Sequence, residues 1–191
     1  MMPQIDINLC PSCGGKLKSP EKEKNYIYNG FGFPVLLVNA VSVSKCDGCG
    51  ESEYTIPNIP GLMAAVALQR IMLPYKLTAA DIRFVRKAIG DNVSSASLAK
   101  HLEVTPETFS RWENDKLVMS PTTEKLLRII VGLMLKDKAP AMEFDVQKVA
   151  DLRIVAAWDR KTSVEQMAFE LVKVRMQDKR VEEGYLLQEA A

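Results

Sequence analysis

The 191 residues carry 25 Lys and Arg against 24 Asp and Glu, a formal charge of +1, and 47% hydrophobic side chains. This is the composition of a soluble globular protein long enough for one or two domains with a real core. The longest apolar stretches, Pro34–Val43 and Leu62–Leu73, are broken at Asn39 and at Gln69-Arg70 and fall short of a membrane span. Met1–Cys10 lacks the basic-then-apolar order of a secretory signal. A cytoplasmic protein without a membrane partner is expected.

Residues 1–56 read as a small metal-stapled β module. The four cysteines form two C-x-x-C pairs, Cys10-Pro-Ser-Cys13 and Cys46-Asp-Gly-Cys49. In a cytosolic chain this favours metal over disulfides. Gly14 and Gly50 follow the second cysteine of each pair and permit a positive-φ turn that brings backbone N–H groups toward the sulfurs. Four thiolates suit tetrahedral Zn²⁺ and leave no open position for catalysis, so a structural zinc on Cys10, Cys13, Cys46 and Cys49 is expected. Between the pairs lie strand candidates Lys24–Tyr28 and Val35–Ser44, joined by the turn signal Asn29–Gly32. The metal is expected to close the ends of a β-hairpin.

Residues 57–76 read as a linker with a helix. Thr55–Gly61 holds two prolines and a glycine, and Leu62–Leu73 is an Ala, Leu and Met-rich helix that must be buried against something. Pro74-Tyr75-Lys76 breaks it.

Residues 77–137 read as an all-α, repressor-like helix-turn-helix domain. Thr78 and Asp81 form a capping-box-like start to a helix with the apolar stripe Ile82, Val85 and Ile89. Leu98, Ala99 and Leu102 give the next short helix its inner face, and Val104 points inward at the turn. Thr105 is the N-cap and Pro106 the first residue of a second short helix, with Phe109 and Trp112 sharing one face. Such a pair presents its polar face to a major groove. The face holds Thr105, Glu107, Thr108, Ser110 and Arg111, with Lys116 just beyond, and these six are the candidate DNA contacts. Arg111 suits a bidentate pair with guanine, Glu107 a cytosine amino group, the hydroxyls phosphates or water, and Lys116 the DNA backbone. Lys76–Val118 holds seven basic and six acidic residues, not the footprint of a non-specific binder. A few placed residues in a homodimer would have to do the work. His101 reads as a surface residue. Ser120-Pro121 caps a long helix, Thr122–Leu135, whose apolar pattern is wide enough for burial on two sides and supplies a candidate dimer interface.

Residues 138–191 read as a helical C-terminal extension. Phe144–Trp158 fits a helix, although its middle can also extend. Ser163–Arg180 fits an amphipathic helix with Val164, Met167, Ala168, Leu171, Val172 and Met176 on one face, and the last residues are expected to fray. The fold class is thus α+β, a zinc-bound β-hairpin module followed by helices. No enzyme is expected, since there is no phosphate-binding glycine loop and no histidine beside a nucleophile.

The order of a Cys-Pro-x-Cys-Gly knuckle, a hairpin, a Cys-x-x-Cys-Gly-Glu knuckle, a linking helix, the run Ile82–Lys87 and the Ser110-Arg111-Trp112-Glu113 segment resembles the MqsA (YgiT-type) zinc-finger/helix-turn-helix antitoxins and their stand-alone relatives. The resemblance covers roughly residues 9–135. It implies a structural zinc domain that in true antitoxins binds a cognate toxin, and a dimeric domain that binds a palindromic operator in double-stranded DNA and represses its own operon. It further implies that Cys10, Cys13, Cys46 and Cys49 are zinc ligands, that Arg111 reads a base, and that Arg86 pairs with Glu113. Glu107 stands where the family pattern has an asparagine, and the tail from Lys136 lies outside the pattern.

Overall fold

The computed structural model describes residues 9–155, 167–175 and 180–188. The chain is mixed α+β, with one sheet packed against a set of helices. β1 (Glu21–Tyr28) pairs antiparallel with the long strand β2 (Val35–Lys45). Val35 and Leu37 are fully buried at alternate positions of β2, as a strand with one covered face requires, and Ala40 and Val41 are buried beyond them. The strand is kinked at its middle: Asn39 has φ 51°, and the register with β1 slips between Glu23 and Asn25. Asn39 and Ala40 there oppose the single residue Lys24, a β-bulge.

The far edge of β2 serves two strands. Ser42–Lys45 pairs antiparallel with β3 (Ser52–Thr55), and Leu36–Val38 pairs parallel with β4 (Ala168–Arg175). β5 (Val181–Leu187) completes the sheet antiparallel to β4. The segment expected as an amphipathic helix over Ser163–Arg180 is therefore strand over Ala168–Arg175, and residues 163–166 and 176–179 lie outside the described residues. The tail expected to fray supplies β5. The extension expected to be helical holds one short helix and these two strands among its described residues, and the sheet joins strands from distant parts of the chain. The physical reason is that Phe169, Leu171, Val172 and Val174 satisfy either period over so few residues, and pairing with β2 and β5 decides between them.

α1 (Ile59–Met72) is the central helix. Asn58 caps it by accepting the Gly61 N–H at 3.0 Å. Ten of its residues, from Gly61 to Ile71, are buried. It packs on α2 (Ala79–Ile89), on α5 (Pro121–Leu135) and on β5, which is why its sequence is apolar on nearly every side. β5 is also tied to the start of α1: Asn58 Nδ2 donates to the Glu183 carbonyl at 2.9 Å, and the Tyr185 hydroxyl donates to the Pro57 carbonyl. α3 (Ser95–His101) and α4 (Pro106–Glu113) are short helices joined by a turn, both in contact within the helical half. α6 (Val146–Asp151) follows a 3-10 turn over Lys136–Lys138 and packs on α5. It is shorter than the helix expected over Phe144–Trp158, whose residues 156–158 lie outside the described ones.

Four charged side chains are buried where α1 turns into α2. Arg70 meets Asp81 at 2.8 Å and Arg128 meets Glu124 at 2.6 Å, all at 0–1% exposure. Arg128 donates to the carbonyls of Ile71, Leu73 and Tyr75, and Arg70 to those of Tyr75 and Lys76. Glu124 accepts the Leu77 N–H at 2.9 Å. Asp81 accepts from the Thr78 N–H and hydroxyl, and its own N–H bonds back to Thr78, the reciprocal capping box. Burial pushes the Asp81 carboxyl up, but the Arg70 charge and the bonds from Arg70 and Thr78 outweigh it and hold it below its ordinary value.

Asp81→Asn should strand the Arg70 cation and cost about 3–5 kcal/mol in a urea melt. The folded carboxyl titrates below its unfolded value. Its contribution is therefore complete above about pH 4 and is lost as pH falls through the folded pKa. Wild type should lose stability on acidification below about pH 4, and the variant should lose less.

Candidate functional site

The four cysteines converge from two tight turns. Cys10 and Cys13 sit before the bridge Leu17↔Cys46, and Cys46 to Cys49 directly follow β2. Gly14 and Gly50 have φ of 70° and 74°, the left-handed conformation that each knuckle requires. The Gly15 N–H points at Cys13 Sγ at 3.4 Å and the Gly48 N–H at Cys46 Sγ at 3.3 Å. Gly15 lies so close that a Cβ there would come within 3.2 Å of both Cys13 and Cys46 sulfurs.

All four sulfurs lie within 4.8 Å of one another, with Cys10–Cys49 at 3.6 Å and Cys13–Cys46 at 3.4 Å. These are not disulfide lengths, which are about 2.05 Å. A tetrahedron with metal–sulfur bonds of about 2.3 Å has edges of about 3.8 Å, so the donor set fits one metal ion. Backbone N–H groups of Cys49 and Gly48 lower the Cys46 thiol to about 7, as suits a thiolate ligand. At Cys49 the Glu51 N–H pulls the pKa down most strongly, but the neighbouring thiols Cys13, Cys10 and Cys46 together push it up to about 12. Without a cation, four crowded thiolates repel. Four sulfurs fill the coordination sphere, so the site can hold an ion and lock two loops but offers no position for a substrate.

The second candidate site is the outward face of α4. Phe109 and Trp112 are buried, their rings packed edge to face at 5.9 Å. Glu107, Ser110, Arg111 and Lys116 line one shallow cleft together with Pro106 and Asn114. Thr105 is the N-cap and accepts the Thr108 N–H at 3.2 Å, while the two hydroxyls lie 3.1 Å apart. Thr105 and Thr108 therefore bond to each other at the head of the helix and do not line that cleft. Asn114, seen in the sequence only as a polar-face residue, joins it and donates to the Ser110 carbonyl at 2.7 Å. His101 is exposed at the end of α3.

α4 is held in place from α2 and α3. Arg86 Nε donates to Glu113 at 2.7 Å, and the Ser95 hydroxyl donates to the other Glu113 oxygen at 2.6 Å. Arg86 also reaches the Val93 carbonyl, and Arg83 donates to the Glu113 carbonyl. The pair expected between Arg86 and Glu113 is present, and Ser95 and Arg83 are partners that sequence reasoning missed. No periodicity marks them, because both bonds depend on how α2 and α3 cross α4.

No family model matches the chain, and comparison with curated proteins and with solved structures finds no match. Among the described residues no helix is long and apolar enough to cross a membrane.

Glu113→Ala removes the carboxylate that Arg86 and Ser95 share. Unfolding by heat or urea should show a loss of about 1.5–3 kcal/mol, the range for hydrogen bonds to a charged group. Glu113→Gln, which keeps an acceptor for Ser95, should recover part of it. Unchanged melting of the Ala variant would remove Glu113 from this role.

Proposed function

We propose that this chain is a sequence-specific DNA-binding transcriptional regulator that works as a homodimer, with α3 and α4 as its helix-turn-helix and Cys10, Cys13, Cys46 and Cys49 holding a structural Zn²⁺. One observation carries the reading. α4 buries Phe109 and Trp112, is locked at its end through Glu113, and keeps Glu107, Ser110, Arg111 and Lys116 along one open cleft. A short helix with one face fixed and a hydrogen-bonding face free is the form in which a helix enters the major groove. In this reading Arg111 reads a guanine, Glu107 restricts sequence more than it adds affinity, and Lys116 meets the DNA backbone. Thr105 and Thr108 order the head of the helix.

Near-neutral charge makes one copy a weak binder, and two copies engage two half-sites. α5 supplies the dimer face: Leu126 and Leu133 are 44% and 47% exposed, with Ile129 and Ile130 half-buried between them. This apolar stripe at i, i+3, i+4 and i+7 is unusual on a solvated helix. The resemblance to MqsA-type antitoxins adds a palindromic operator, autorepression and a cognate toxin, and a small toxin-like reading frame beside the gene would support that extension. A second reading is a zinc-stabilised partner-binding protein whose helix-turn-helix serves only dimerisation. It is favoured by the large apolar side chains that the sheet leaves exposed at Ile27, Tyr54 and Leu186.

Protein purified without chelator should contain one zinc per chain, and stripping it should unfold the loops around the cysteines, because metal binding and folding are linked in so small a module. Cys10–Cys13 oxidised in the purified protein would exclude the metal.

Selection of bound sequences from a random duplex pool should enrich a palindrome bound by two chains. Arg111→Ala should lose about 1–3 kcal/mol and relax preference at one base pair per half-site. Leu133→Asp should yield monomers by light scattering and lose the palindrome. A wild-type protein that enriches no sequence would leave the partner-binding reading.

A further inference from the structure

A second cleft adjoins the α4 face. It has a volume of about 640 Å³ and lies between the start of α2 and the end of α4, lined by Lys76, Thr78, Ala80, Arg83, Asn114 and Asp115 among others. Asn114 lines both clefts, so the two meet at the end of α4. We propose that this second cleft seats a backbone phosphate of duplex DNA, held by Lys76 and Arg83. The inference rests on the DNA-binding reading and extends the contact surface beyond the helix-turn-helix itself.

Position and charge carry it. Along a DNA major groove the phosphates flank the base edges, so a cleft that adjoins a base-reading face is where a backbone passes. Both cations are anchored. The Lys76 N–H donates to the Val155 carbonyl at 3.1 Å, and its carbonyl accepts from Arg70 at 2.9 Å. The lysine thus springs from a fixed point of backbone. Arg83 is exposed, yet one of its nitrogens is tethered to the Glu113 carbonyl at the end of α4. A guanidinium has five donor hydrogens in a rigid fork, so one bond of this kind aims the group and leaves donors for a phosphate. Against these two cations the cleft sets one carboxylate, Asp115. Asp81, at the start of α2, is fully buried and paired with Arg70.

The bonds shown for Lys76 use its backbone, so Lys76→Ala spares them. The full-length protein is titrated with the duplex that wild type selects and with an unrelated duplex, over a range of salt. Lys76→Ala, and Lys76→Ala combined with Arg83→Ala, should weaken both duplexes by the same factor. In the dimer the double variant should flatten the slope of log affinity against log salt by about 2, one phosphate per chain. The selected sequence should stay the same, unlike that of Arg111→Ala. Lys87→Ala, an exposed cation that lines a different cleft, should leave the slope unchanged. Circular dichroism reports whether the double variant is folded, and Lys76→Ala carries the test if it is not. A wild type that selects its palindrome while Lys76→Ala keeps wild-type affinity and slope overturns the phosphate seat alone. A wild type that binds no duplex overturns the seat together with the DNA-binding reading.

Discussion

Two buried arginines hold the turn between α1 and α2, and everything around the turn takes its position from them. A helix ends with four carbonyls that lack partners inside the helix. In α1 that end is buried through Ile71, and the turn after it is half-buried. Arg128, reaching across from α5, bonds the carbonyls of Ile71, Leu73 and Tyr75, and Arg70 takes Tyr75 and Lys76. Each guanidinium then needs a counter-charge, which Glu124 and Asp81 supply. Only arginine offers enough donors in fixed geometry for this; a lysine would leave carbonyls bare. Such a cluster gives little net stability over a packed apolar substitute, because desolvation consumes most of the Coulomb gain. Its effect is geometric: three helices and an irregular turn are held in the arrangement that lets the two guanidinium groups meet these carbonyls and both carboxylates.

That arrangement reaches the α4 face through a short chain of contacts. α2 starts at the turn with its Thr78 and Asp81 cap, and within about two turns of that cap it presents Arg83 and Arg86 to the end of α4. On the other side, α1 packs against β5, and β5 is bonded to Pro57 and Asn58 at the start of α1. The cysteine cluster lies at the end of β2. The sheet and the helical half thus share α1 as a common core element.

What could be read in the sequence was local. The cysteine quartet is visible because metal ligands need fixed spacing and flanking glycines. Thr78, Thr105 and Ser120 are visible as caps because a cap acts within three residues. The Arg86–Glu113 pair came only with the family resemblance, since nothing in the two segments alone brings them together. The buried arginines are not legible: Arg70 reads as an interruption in an apolar helix, and nothing in the sequence around Arg128 marks its role. The C-terminal strands are not legible because Ala168–Arg175 carries apolar residues at both helical and strand spacings, and its partner Leu36–Val38 is more than half the chain away. β3 lay at the edge of a stretch read as linker. Non-local pairing decides such segments, and no window of sequence contains it.

The parallel contact between β2 and β4 also sets an order of events at the ribosome. Helical pairs such as α3 and α4 are made of near neighbours and can form as soon as they emerge. β2 cannot be completed until Ala168–Glu170 has been synthesised, and β5 must follow to cover the new edge. Through most of translation the Leu36–Val38 edge therefore stands as a row of unpaired backbone groups, the feature by which nascent chains find one another. A transcript truncated after the helices would encode every residue assigned to metal and to DNA, yet leave that edge open for the life of the product.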